Sequence, residues 1–224
     1  MPYPMIHLYI AKHILDLSLW PVKSRPQYYL GTLAPDAVQF RQTYDKKISH
    51  ICSSNEPWGF VSNNEEWRND IVKFIEENKD KADIDFLLGY GIHILADICN
   101  NIKIWTPFRL KNANMDFREL HKAVYEENML IDLQLYQMCT FKEELFESLS
   151  SSVSFNFLDI VYMEDMDKIK DSIVNVQYNN KAPVNSESNR IVILKNILEF
   201  IDYTTGNLRE TLCDRILEKI KRSC

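Results

Sequence analysis

The segment FLLGYGIHILADICNNI, residues 86–102, constrains this chain more than any other. Its apolar stretch, 86–98, is too short to span a bilayer, yet it carries His93 and Asp97. Four residues apart on a helix, these two stand one turn apart on one face, close enough to reach a common metal ion. Phe86, Gly89 and Asn101 fall within about 40° of that face at 100° per residue. An ionised carboxylate inside an apolar helix costs several kcal/mol unless it is paired, neutralised or bound to a cation. Asp97 therefore requires a partner, and His93 and a metal ion are the two candidates. Gly89 and Gly91 each cost about 1 kcal/mol against Ala inside a helix, which calls for a packing or access reason for at least one of them. The alternative to a metal site is an i, i+4 hydrogen-bonded pair that supports the core.

The rest of the chain predicts an all-α fold, a single-domain multi-helix bundle over residues 1–224. Only 5 glycines occur, and long turn-poor stretches argue against a sandwich or barrel of short strands. A chain of this mass buries about 70% of its unfolded surface, enough for one core without disulfides. Pro4 suits a first helical turn, and the pattern runs to about residue 19, where Trp20-Pro21 stops it. Helices are predicted over 64–78, over 83–105 with Thr106-Pro107 ending it, and over 115–139. Residues 148–154 and 177–189 read as polar breaks, with helical periodicity over 155–176 and 190–220. Residues 1–140 form the candidate site region and 155–224 the C-terminal helices. Residues 22–63, punctuated by Pro26, Gly31, Pro35, Pro57 and Gly59, read as one long irregular segment holding YYLGTLAPD and the isolated His50.

Two further clusters of polar residues stand out. In the first helix His7 shares a face with Ile10, Ala11 and Ile14 and points inward, whereas His13 lies opposite with Tyr9, Lys12 and Asp16. In the helix over 115–139, Phe117, Leu120, Val124, Ile131 and Leu135 form an apolar stripe from which Asn128 projects, with His121 and Asp132 at its margin. These three either cross-link the core or line a pocket beside a metal. Tyr28, Tyr29, Trp105, Arg109 and Tyr125 are candidates for shaping such a pocket, with packing and surface solvation as the plainer role.

Charge and cysteine usage bound the partners. The formal charge is −6, with no broad basic face for a phosphate backbone, so stable nucleic-acid binding is not expected. Cys52, Cys99, Cys139, Cys213 and Cys224 are odd in number and form no C-x-x-C pair, which fits a reducing cytoplasm rather than a disulfide framework or a zinc knuckle. No signal peptide and no transmembrane segment is read from the sequence, and the expected location is cytoplasmic.

Taken in order, an inward His in "IHLYIAKHIL", then "YYLGTLAPDAV", then an isolated "SH", then "GYGIHILADI" resemble the zinc-dependent phospholipase C family. That family includes bacterial phospholipases C and clostridial alpha-toxin and is related to zinc-dependent single-strand nucleases; the likeness covers residues 1–132. The resemblance implies an all-helical fold around zinc. It implies that Asp36, His50, His93 and Asp97 bind one ion, with Asp97 bridging to a second ion also held by His7. Elsewhere the chain departs from the family's pattern. It begins Met-Pro, where the phospholipase branch uses a mature N-terminal Trp. Asn100 and Asn101 follow the H-x-x-x-D motif, and Tyr125 rather than an acid stands four after His121, so the resemblance implies one or two ions rather than three. No C-terminal β-sandwich for membrane docking is read, since the chain beyond residue 154 has helical periodicity.

The expected function is therefore a zinc-dependent hydrolase of a phosphoric ester, a phosphodiester above all, acting on a small phosphate ester or a lipid headgroup. Imidazoles and carboxylates suit Zn²⁺, with Mn²⁺ or Fe²⁺ compatible with the same donors. Asp36 or Asp97 would double as general base. The alternative is a non-catalytic helical protein that keeps the metal-binding scaffold. A His-Asp phosphohydrolase is disfavoured because its adjacent His-Asp pair occurs nowhere in the chain.

Overall fold

The computed structural model describes residues 3–179 and 194–217. Among these the chain is all-α, and one isolated bridge between Phe157 and Val161 is the nearest thing to a strand. The helices are α1 (Pro4–Asp16), α2 (Arg25–Ala37), α3 (Lys46–Ser49), α4 (Asn64–Asn78), α5 (Ile84–Asn100), α6 (Thr106–Lys111), α7 (Phe117–Met138), α8 (Lys142–Ser151), α9 (Met163–Asp171) and α10 (Leu194–Thr211).

The FLLGYGIHILADICN helix, α5, is the axis of the fold. Asp83 caps it by accepting from the Phe86 N–H at 2.9 Å, and every residue over 85–100 is buried. Around it pack α1, α2, α4 and α10, so an all-round apolar sequence is matched by all-round burial. Asp85, in the first turn of α5, is no exception. Its carboxylate accepts from the Lys23 and Ser24 N–H groups at 2.9 and 2.7 Å and from the Trp20 indole at 3.3 Å, which ties the start of α2 to the start of α5.

The largest departure from the sequence reading is α2, which runs through YYLGTLAPD where an irregular segment is expected. Pro26 lies in the first turn, where its missing N–H costs nothing, and Ser24 caps the helix by accepting from Gln27. Pro35 falls only in the last turn, and Gly31 is a packing residue rather than a breaker. A Cβ on Gly31 would lie 2.0 Å from the Phe86 carbonyl oxygen, and one on Gly89 would lie 2.0 Å from the Tyr28 carbonyl oxygen. The two glycines thus let the backbones of α2 and α5 touch. The irregular segment shrinks to 41–63, interrupted by α3.

Other boundaries move for local reasons. Helix α1 ends at Asp16 because Ser18 takes a positive φ of 52°. Thr106-Pro107 does not end the helical path: a π-turn over Asn101–Trp105 leads into α6, where Pro107 again occupies a first turn. The serine-rich 148–154 is largely helical, because α8 continues to Ser151, whose hydroxyl bonds back to the Glu147 and Ser148 carbonyls. Residues 155–162 form a tight turn, with Leu158 and Asp159 at positive φ, so helix resumes only at Met163. Of the break expected at 177–189, residues 180–189 lie outside the described residues, as do both ends of the segment expected at 190–220. No described helix is long and apolar enough to cross a membrane.

Candidate metal centre

Four elements deliver five potential ligands to one place. His7 comes from α1, Asp36 from the last turn of α2, His50 from the residue that closes α3, and His93 with Asp97 from α5. His7, His50, His93 and Asp97 are each at most 2% exposed. His13, by contrast, lies toward the surface, 3.8 Å from Asp202.

The main chain sets the tautomers of two rings. His93 Nδ1 lies 2.8 Å from the Thr32 carbonyl oxygen, and His50 Nδ1 lies 2.9 Å from the Lys46 carbonyl oxygen. A carbonyl only accepts, so Nδ1 carries the proton in each ring and Nε2 presents a lone pair. The two Nε2 atoms face one another at 3.4 Å. Two lone pairs at that distance repel, and a cation between them, a proton or a metal ion, removes the repulsion. A ligand histidine that donates its other N–H to a carbonyl is the usual arrangement around metals.

The carboxylates complete the cluster. Asp97 Oδ2 lies 3.2 Å from His50 Nε2 and 3.8 Å from His93 Nε2, while its Oδ1 faces His7 Nε2 at 3.5 Å. Asp36 reaches His50 Nε2 at 3.5 Å and His93 Nε2 at 4.0 Å. His7 stacks flat on His93, with ring centres 3.7 Å apart and 8° between planes. Two donor triads result, His50/His93/Asp97 and His7/Asp36/His93. Both nitrogens of His7 and both oxygens of Asp97 are buried without a hydrogen-bond partner. Buried polar atoms are rarely left unpaired, and here the unpaired atoms are all metal donors, so these residues fit a divalent ion.

Electrostatics point the same way. Burial pushes His7 down to about 3, with His93 adding to the effect, and burial also lowers His93; both rings are neutral imidazoles at neutral pH. Burial opposes ionisation of Asp36 and Asp97, but Lys46 and the histidines around Asp36, and the histidines around Asp97, outweigh it and hold both carboxylates below their ordinary range. His50 moves up instead, because the neighbouring carboxylates of Asp36 and Asp97 outweigh its burial. Lys46 donates to Asp36 Oδ1 at 2.7 Å, so one residue fixes His50 through its carbonyl and Asp36 through its ammonium.

Backbone strain also gathers here. Ile51, a β-branched residue, has a φ of 49° and closes α3 with bonds from its own N–H to Ile48 and from Cys52 to Lys47. That turn is braced by the Trp67 indole on the His50 carbonyl at 2.8 Å and by the Tyr90 hydroxyl on the Ser49 carbonyl.

The centre opens into a cavity of about 190 Å³, with Asp97 in its wall. Trp58, Trp67, Trp105, Phe117, Tyr3 and Tyr125 make it strongly aromatic, and His121 and Asn128 also line it. Of the other suspected pocket residues, Tyr28 bonds the Ala11 carbonyl in the core, Tyr29 is fully buried, and Arg109 lies over the Phe60 ring. Asp132 is not among the walls. It accepts from the Met5 N–H, Gln177 and Tyr178, anchoring α1 to the later part of the chain. Sequence reasoning missed Lys46, Tyr3, Trp58 and Trp67. Only the i−4 spacing of Lys46 from His50 hinted at a role, and nothing local marks the others. No family model, curated protein or solved structure matches this chain.

Proposed function

We propose that this chain is a metal-dependent hydrolase of phosphoric esters, phosphodiesters above all, of the kind found in the zinc-dependent phospholipase C family. The observation that carries this reading is the convergence of the His50 and His93 lone pairs at 3.4 Å beside the unpaired oxygens of Asp97. His50, His93, Asp36 and Asp97 would hold one Zn²⁺, with Mn²⁺ or Fe²⁺ suited to the same donors, and His7 with the second Asp97 oxygen would hold another. When bound, such an ion supplies Lewis acidity toward a phosphoryl oxygen and toward water.

The chain's own residues supply the rest. Asp36 and Asp97 are ionised at neutral pH, so either one can accept the proton of an attacking water; Asp97 borders the cavity, where an ester would lie. Lys46 holds Asp36 in place and keeps it charged. The aromatic walls exclude bulk water and accept the ester's organic group, a small alcohol or a lipid headgroup.

The test is metal analysis of the untagged protein purified without added metal, alongside a variant combining His93→Ala and Asp97→Ala. One to two equivalents in the wild type and near none in the variant support the reading. Hydrolysis of bis(4-nitrophenyl) phosphate that survives a strong chelator would overturn it.

A further inference from the structure

Several polar groups in the cavity walls already have partners. The Trp67 and Trp105 indoles donate to the His50 and Gly59 carbonyls. The Asn101 amide donates to Val61 and Asn64, and its oxygen accepts from Thr106. Among the described wall residues, the buried polar atoms without a partner are the two Asp97 oxygens and the Tyr3 hydroxyl. The oxygens are explained by a cation. The hydroxyl, which has the Tyr125 hydroxyl for a neighbour, is a donor and is not.

Tyr3, the N-cap residue of α1, stands four residues before His7 and shares the cavity wall with Asp97. Its ring is fixed edge-on against Tyr125, 5.6 Å between centres at 64°. Two residues on, the Met5 N–H is bonded to Asp132 at 2.8 Å, so the first turn of α1 cannot drift. No lysine or arginine lines the cavity among the described residues. An anion entering it would find charge compensation only at the ion and would otherwise depend on neutral donors in the walls.

The geometry points to the Tyr3 hydroxyl as a catalytic residue that donates a hydrogen bond to a phosphoryl oxygen of the ester held at the metal centre. This inference rests on the proposed hydrolase reading and adds a protein donor to the phosphoryl oxygen. A fixed donor of this kind assists most where charge builds up on oxygen during phosphoryl transfer. Burial, reinforced by Tyr125, raises the hydroxyl's pKa, so it keeps its proton throughout the range in which the enzyme would work.

The test is titration of inorganic phosphate into the metal-loaded protein, wild type against Tyr3→Phe, which keeps the ring and removes the hydroxyl. The expected result is unchanged metal content, roughly tenfold weaker phosphate binding and a similar fall in kcat/KM for bis(4-nitrophenyl) phosphate. Equal phosphate affinity in the two proteins, or a metal-loaded wild type that binds no phosphate, would overturn the role of Tyr3 while leaving the metal centre intact. A wild type that takes up no metal would sink the hydrolase reading itself. As a check that needs no variant, the Tyr3 ring carbon bearing the hydroxyl should shift in the ¹³C spectrum when phosphate is added and the exposed Tyr162 should not; a silent Tyr3 also overturns the assignment.

Discussion

Gly89 of α5 meets the carbonyl of Tyr28 in α2 so closely that a single added methyl would lie 2.0 Å from the oxygen. The neighbouring carbonyl one turn on, that of Thr32, takes the Nδ1 proton of His93. Helix contact and ligand orientation are therefore one feature of the packing. Gly89→Ala should cost about 3 kcal/mol by forcing the backbones apart, and metal uptake should fall with it. Thermal denaturation in chelator, paired with metal analysis, checks both; an unchanged melting temperature would count against the contact.

Lys46 balances the carboxylates of Asp36 and Asp97 before any ion arrives. Lys46→Met should destabilise the metal-free protein by about 2 kcal/mol, since breaking one half of a half-buried pair leaves the other poorly compensated. A bound divalent ion supplies the missing positive charge, so the loss should be smaller with metal present. Melting curves with Zn²⁺ and with chelator, for wild type and variant, measure that coupling. Equal losses in both conditions would mean Lys46 acts through packing alone.

A metal ion at this centre would compete with the proton at His50. Its pKa lies above the ordinary 6.5 because of Asp36 and Asp97, whereas His7 and His93 are already neutral. In the metal-free protein the stability this pair contributes is fully present below 6.5 and is lost as pH rises through the elevated value. Metal binding near neutral pH should thus release protons from His50, increasingly so as pH falls, and affinity should weaken in step. Calorimetry in buffers of different ionisation heat gives the number released; none released at pH 6 would contradict the assignment.

Asp132 carries the opposite kind of liability from Asp36. Burial pushes it up to about 6 even though Tyr178, the Met5 N–H and Gln177 all bond it. With a folded pKa above the ordinary 3.8, its contribution is fully present below pH 3.8 and is lost as pH rises through about 6. Asp132→Asn should remove that slope, gaining on the wild type by up to about 3 kcal/mol between pH 4 and pH 7. Urea unfolding of both proteins at the two pH values reads it directly.

What the sequence disclosed, and what it hid, follows from the range of the signals. Helices α4, α5 and α7 announce themselves by periodic apolar residues, and in the structure Asn63, Asp83 and Asp116 cap them. Helix α2 is concealed because Pro26, Gly31 and Pro35 are breakers by local rule, and only the partner helix shows why each is tolerated. The five candidate ligands could be listed from the chain, since His and Asp in apolar surroundings are anomalies wherever they occur. The cavity is legible only in part: Trp105, Tyr125, His121 and Asn128 are candidates for its walls, whereas Tyr3, Trp58 and Trp67 come from separate segments and each alone is ordinary packing. Lys46 lies in the segment read as irregular, and its salt bridge depends on where α2 ends.

The bonds that seat α1 have a bearing on the order of assembly. The Met5 N–H and the Tyr9 hydroxyl attach to Asp132 and Leu135, partners made more than a hundred residues later. As the chain emerges from the ribosome, Asp36, His50, His93 and Asp97 can gather while α1 still lacks these anchors. His7 is the first ligand synthesised and the last secured, so a nascent chain would encounter its first ion through the other four.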